Sequence, residues 1–199
     1  MRISAITGFL GLAVAQAVYQ SAPFYLVLKS RNSSLNGAYL SPCHEGAAES
    51  ALCPTKEPPT DLSYSQFYYN TSAPDAQDPF GTLGWDLPIG EGSDGISVPQ
   101  PMIFQYNDAS NVAVPLFFFG NPTSVEFGSG DNQMTIFSFR DDTKPLSLDN
   151  GNYSAHLSRW YVCDTIPTWY LYQTLAWAMG KAKPQNPSCQ KVEVYRKWA

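Results

Sequence analysis

Two short runs in this chain carry side chains able to move protons. His44-Glu45, directly after Cys43, sets an imidazole that titrates near neutrality beside a carboxylate able to tune it. Asp141-Asp142-Thr143 follows a predicted strand and offers either oxygen ligands for calcium or two carboxylates for glycoside cleavage. Each run also has an ordinary reading. Neighbours in an extended chain point to opposite faces, so His44 and Glu45 are poorly placed to act on one substrate, and hydrogen bonding beneath a disulfide at Cys43 is the plainer expectation. An Asp-Asp-Thr turn at a strand end is commonly solvated and held by its own side chain to backbone bonds. His156 belongs to a loop bearing a glycosylation sequon and is expected at the surface, and no G-x-S-x-G elbow supplies a serine for it. Without a C-x-x-C pair or a phosphate-cradling glycine loop, neither a metal nor another cofactor is expected.

Aromatic side chains are the other chemical resource. Trp85, Trp160, Trp169 and Trp177, with Tyr68, Tyr69 and Tyr170, suit either a platform for stacking sugar rings or the core of a β domain. Most fall inside predicted strands, where core packing is the expectation. Trp169 differs, because Pro167-Thr168 places it at a turn. Trp169, Trp85 and Tyr68 are the ligand-binding candidates, and the platform would suit a polysaccharide or a small apolar molecule.

These groups need a frame, and the frame reads as extracellular. Residues 1–17 have the form of a secretory signal: Arg2, an apolar run from Ile3 to Val14, and the small-residue site Ala15-Gln16-Ala17, with Ala13-Val14-Ala15 as an alternative. Cleavage there leaves residues 18–199 as one secreted domain. The apolar run is too short to cross a bilayer, and Tyr195-Arg196-Lys197-Trp198-Ala199 is not an anchor signal. Four cysteines remain, an even number suited to two disulfides. Three connectivities are possible. Cys43 with Cys53 and Cys163 with Cys189 are favoured because each pair brackets a turn-rich segment. Asn32, Asn70 and Asn152 head sequons for N-glycosylation, whereas proline spoils those at Asn121 and Asn186. Losing Arg2 takes the charge from −5 to −6, 11 basic against 17 acidic residues. With no run of Lys or Arg, neither nucleic acid nor an anionic membrane is an expected partner.

Along the chain, apolar runs of five to eight residues alternate with glycine, proline or asparagine, the pattern of strands. Strands are predicted at Phe24 to Leu28, Gln66 to Tyr69, Leu83 to Leu87, Met102 to Tyr106, Val112 to Phe119, Ser124 to Phe127, Met134 to Phe139, Trp160 to Cys163, Tyr170 to Ala178 and Gln190 to Trp198. The strand at Met134 reads as buried on both faces. Thr168 to Lys181 is the one stretch with helical possibilities, and its β-branched and aromatic content makes strand the better reading. Pro54 to Ser65 reads as an exposed loop. The fold class is all-β, a single-domain β-sandwich or distorted barrel, with a β-trefoil as the alternative.

Several blocks carry a resemblance: His44-Glu45-Gly46-Ala47-Ala48, Phe67-Tyr68-Tyr69-Asn70, Trp160-Tyr161-Val162-Cys163, Tyr172-Gln173-Thr174-Leu175-Ala176-Trp177 and Pro184-Gln185-Asn186-Pro187-Ser188-Cys189. Together they resemble an uncharacterised family of small secreted proteins of filamentous fungi, over about Phe24 to Trp198. The layout is more distantly similar to fungal cell-wall proteins of the conidial-surface allergen type. The resemblance implies an extracellular or wall-associated glycoprotein with a structural or carbohydrate-binding role and supplies no catalytic residues. A cofactor-free enzyme is the alternative, using His44, Glu45 or Asp141 with Asp142 as acid/base groups in an aromatic-lined pocket.

Overall fold

A computed structural model of the chain describes residues 18–57, 64–72, 80–90, 96–138 and 155–199. Within them the secondary structure is all strand: β1 Tyr19–Gln20, β2 Phe24–Ser30, β3 Tyr39–Gly46, β4 Glu49–Thr55, β5 Tyr68–Thr71, β6 Gly81–Pro88 and β7 Ser97–Gln105 in the first half. The second half holds β8 Val112–Phe117, β9 Ser124–Phe127, β10 Met134–Ser138, β11 Ala155–Leu157, β12 Trp160–Thr165, β13 Tyr172–Ala178 and β14 Gln190–Trp198.

All pairings are antiparallel, in the order β11-β10-β9-β6-β7-β8-β13-β12-β14-β2-β3-β4, and β4 returns to pair with β8. The sheet thus closes in a ring, though not as a clean barrel. Strand β8 makes the closure. It pairs with β7, while Val112 and Ala113 pair with β13 and Leu116 and Phe117 with β4. All six of its residues are buried, which fits a continuous apolar run covered on both faces. Bridges Phe24 to Phe67 and Gln133 to Tyr195 stitch the ring elsewhere. This connectivity, without threefold repetition among the described residues, bears out the distorted-barrel reading over the trefoil.

Period-two alternation fills the core. Strand β2 sends Phe24, Leu26 and Leu28 inward, and β14 sends Val192 and Val194 to meet them. Trp85, Trp160, Phe67 and Phe117 complete the centre, and the indole N–H groups of Trp85 and Trp160 donate to the carbonyls of Tyr64 and Met134. Gly81 is required where Tyr69 crosses β6, because a β-carbon there would overlap the Tyr69 ring and the Asn70 carbonyl. The Tyr69 hydroxyl passes over that gap to donate to Val125 O at 3.1 Å.

Both expected disulfides are present, Cys43–Cys53 and Cys163–Cys189. The first does not bracket a turn-rich segment. Cys43 to Cys53 spans two paired strands, with a turn only at Ala47-Ala48. Two further corrections concern burial. In β10 only Met134 is buried, because β10 lies near the sheet edge rather than between two layers. The segment Pro54 to Ser65 begins in β4 and ends at a buried Ser65, whose hydroxyl meets that of Ser41 at 2.6 Å.

Candidate functional site

The sequence-predicted residues that come together lie where the β3–β4 hairpin meets the β12–β13 connection. In the hairpin, His44 pairs with Ser50 and Gly46 with Glu49, so Glu45 is an extra residue in a β-bulge. His44 stays exposed while Glu45 is fully buried, so the two neighbours sit in different environments although the bulge interrupts the strand alternation. Ala48 takes a left-handed φ of 59° to close the turn, and its carbonyl accepts from Gln100 Nε2 on β7 at 2.7 Å. The hairpin tip is therefore held against the barrel wall.

Glu45 holds the six-residue connection Ile166 to Leu171. Its backbone carbonyl accepts from Thr168 Oγ1 at 2.9 Å, and its Oε2 receives longer bonds from Thr168 Oγ1 and the Tyr170 N–H, each 3.4 Å. At the base of the connection, the hydroxyls of Thr165 and Thr174 meet at 2.7 Å. A β-carbon on Gly46 would stand only 3.3 Å from Trp169 Cδ1, so the glycine lets the indole edge rest on the hairpin. Trp169 is nevertheless 77 % exposed, with Ile166, Tyr170 and Leu171 exposed around it. The His44 ring lies 5.9 Å from that of Tyr170. Thus Glu45, His44 and Trp169 share one surface feature.

Trp85 does not join them. It is buried in the core, packed edge-on against Tyr64 and tilted against Phe117, and its ring has no open face for a ligand. Tyr68 is half-buried on β5 and lines a separate small hollow of about 120 Å³ with Asn70 and Asp86. Trp160 and Trp177 are core residues as expected. Asn32 and Asn70 lie partly exposed, whereas Asp141, Asp142 and Asn152 fall outside the described residues.

Residues 21–198 match the model of a domain of unknown function, DUF7907. The chain belongs to the DUF7907 family. No curated protein and no solved structure matches it. In this DUF7907 chain the matched range takes in both disulfides, the hairpin and the Trp169 connection.

The DUF7907 fold also forms a pairing that neither residue announces in sequence. His156 on β11 places Nδ1 2.6 Å from Oε2 of Glu126 on β9, diagonally across β10. The imidazole is half-exposed, with the Phe137 ring edge-on at 5.2 Å, while the carboxylate is buried. His156 is exposed as expected, but on a strand rather than in a loop. Nearby, burial and the Glu126 carboxylate push the Tyr69 phenol above its usual range against the opposing pull of Arg196. Burial in turn lowers Arg196, whose guanidinium sits 4.2 Å from the Trp198 ring centre and 4.7 Å from that of Phe127. Among the described residues no group of three His, Cys, Asp or Glu is arranged to hold a metal ion.

Proposed function

We propose that this DUF7907 protein is a secreted, fungal, wall-associated or extracellular glycoprotein that binds carbohydrate through the Trp169–Tyr170 tip. The observation that carries the reading is the presentation of Trp169: a large indole left 77 % exposed on a connection anchored to the backbone carbonyl of Glu45 and, by longer bonds, to its buried carboxylate. An exposed aromatic on an anchored connection loses little conformational freedom when a sugar ring stacks on it, so less of the contact energy is spent on ordering. Two disulfides enclosing the two halves of the feature, at Cys43–Cys53 and Cys163–Cys189, suit an oxidising compartment.

Pull-down of the secreted protein on chitin and on β-glucan tests this. Retention on one of the two, lost in Trp169→Ala while the melting curve is kept, is the expected result. Absence of retention on both, or equal retention of Trp169→Ala, rejects it.

A cofactor-free enzyme is the second reading, and the Glu126–His156 pair favours it, because a carboxylate that orients an imidazole is a common arrangement for acid/base work. A metabolite difference in a deletion strain, restored by the wild-type chain and not by His156→Asn, would support that reading over the first.

A further inference from the structure

The acidic chain assembles a basic cleft that its sequence disperses. Lys29 and Ser30 end β2, Arg31 and Asn32 follow, and Gln190 to Glu193 begin β14; together they line a cleft of about 610 Å³. Strands β2 and β14 are paired, with Ser30 opposite Val192 and Lys29 opposite Glu193, so residues about 160 positions apart in sequence become neighbours. Three cations and one carboxylate line the cleft of a chain whose net charge is −5.

That carboxylate is already engaged. Glu193 accepts from the Tyr195 hydroxyl at 2.9 Å and lies 3.9 Å from Lys29 Nζ. Among the described residues, no carboxylate stands within ion-pair distance of Arg31 or Lys191. Lys191 is also held in place: its ammonium donates to Ser158 O and lies 5.0 Å over the Tyr161 ring, and its carbonyl accepts from Ser30 Oγ. Burial, and Arg159 nearby, lower its proton affinity despite the opposing pull of Glu193. Positive charge is thus crowded at the cleft with only part of it balanced. The polar groups beside them are partly tied together: Ser30 Oγ donates to Lys191 O and accepts from the Asn32 N–H, Asn32 Oδ1 accepts from Ser34, and Asn32 Nδ2 donates to Gln190 Oε1. The Gln190 Nε2 hydrogens and the second hydrogen on Asn32 Nδ2 are thus the donors left for a sugar, beside the aliphatic stems of the two lysines.

We infer that this cleft binds a sugar bearing one anionic group, with Arg31 and Lys191 on the anion and the remaining amide hydrogens of Asn32 and Gln190 on the sugar's oxygens. The overall negative charge of the chain opposes long polyanions, so one local anionic group is the better match. A uronate carboxylate and a sugar phosphate share this chemistry. The site is separate from the Trp169 tip and does not depend on it.

Calorimetric titration of the full-length mature protein, produced in an oxidising bacterial periplasm so that Asn32 carries no glycan and keeps its hydrogen bonds from Ser34, tests the inference. The probes are monomeric galacturonate, mannose 6-phosphate, uncharged galactose and inorganic phosphate. Binding of either anionic sugar is expected, stronger than that of galactose or phosphate and weakened by added salt. The probe that binds identifies the source of the anion. Arg31→Gln and Lys191→Met should each weaken it about tenfold, in line with loss of a charge-assisted hydrogen bond. Arg31 is exposed, so Arg31→Gln should retain the wild-type melting curve, whereas Lys191→Met loses the bond to Ser158 O and should lower it slightly while the protein stays folded. Trp169→Ala should leave this binding unchanged. No binding of either anionic sugar, binding of phosphate as tight as of the sugar, or undiminished binding in the Arg31→Gln/Lys191→Met double variant would overturn it.

Discussion

Glu45 and Glu126 are both buried carboxylates with one oxygen hydrogen-bonded and the other without a hydrogen-bond partner among the described residues, yet they hold different kinds of group. Glu45 grips a backbone N–H and a threonine hydroxyl, groups that do not titrate in the ordinary range, and so it positions the Trp169 connection. Glu126 grips an imidazole whose ring is half in solvent, and so it orients a group able to exchange protons. The covalent setting differs too. The connection that Glu45 holds lies between Cys163 and Cys189, and the hairpin that carries Glu45 is crossed by Cys43–Cys53, whereas β9, β10 and β11 around Glu126 contain no disulfide. Two buried acids of the same type therefore serve an anchored surface in one place and a chemical pair in the other, and the partner decides which.

The largest effect expected is from the disulfide that encloses the anchored connection. Closing the 26-residue separation should contribute about 3.5 kcal/mol in the chain-entropy model, against about 2.7 kcal/mol for the 10-residue separation at Cys43. Packing widens the gap. Cys163 is buried against Val112 and Ala176, whereas Cys43 and Cys53 are half-buried on a hairpin that the β3–β4 ladder already closes. Urea denaturation should rank Cys163→Ser as more damaging than Cys43→Ser; the reverse order would mean that the ladder does not close the hairpin by itself.

Next in size is the anchor. Glu45→Ala should cost about 2 kcal/mol, because it empties a buried site and takes the carboxylate acceptor from the Tyr170 N–H, while the Thr168 hydroxyl keeps the backbone carbonyl at position 45. Trp169 emission should also become more readily quenched by iodide as the connection loosens. Unchanged quenching in Glu45→Ala would show that the Thr165–Thr174 contact holds the connection without the carboxylate.

At the other acid the effect should be smaller. His156→Asn removes a half-exposed partner, so its cost to stability should stay under about 1 kcal/mol, read by the same denaturation. A loss as large as that of Glu45→Ala would erase the distinction between the two sites.

The smallest effect is alkaline. Burial, then the Glu193 carboxylate, raises the Tyr195 phenol to about 12, and Tyr69 rises as well. For these groups the folded state favours the neutral phenol, so their contribution is fully present below the unfolded value of about 10 and is lost as pH climbs through the folded value. Melting temperature should hold up to about pH 10 and fall above it, and Tyr195→Phe should soften the fall. Phenolate absorbance that saturates at the ordinary tyrosine pH would contradict the raised values.

Much of the fold was legible because strands that face a core announce themselves by period. Phe24, Leu26 and Leu28, or Val192 and Val194, alternate with polar residues and need no tertiary knowledge. Strands β3 and β4 were not legible. Tyr39–Gly46 and Glu49–Thr55 contain prolines, serines and alanines of poor strand propensity, and they pair because the register, the disulfide and the β8 edge hold them. Trp169 was readable at its turn, since Pro167-Thr168 breaks the apolar run ahead of it. Its anchor was not, because Glu45 lies 123 residues from Thr168.

Local sequence therefore determined the strand class, the even cysteine set and which aromatic stands at a turn, since all three depend on residues within one run or on residue types alone. The tertiary structure decided what meets what: Glu45 with Thr168, Glu126 with His156, and Lys29 and Arg31 with Lys191. Those meetings follow from strand order, in which β14 pairs with β2 and β11 with β10, and strand order is set by how the whole apolar surface is buried at once. No window of sequence contains that sum, which is why a chain without a Lys or Arg run still gathers three cations into one cleft.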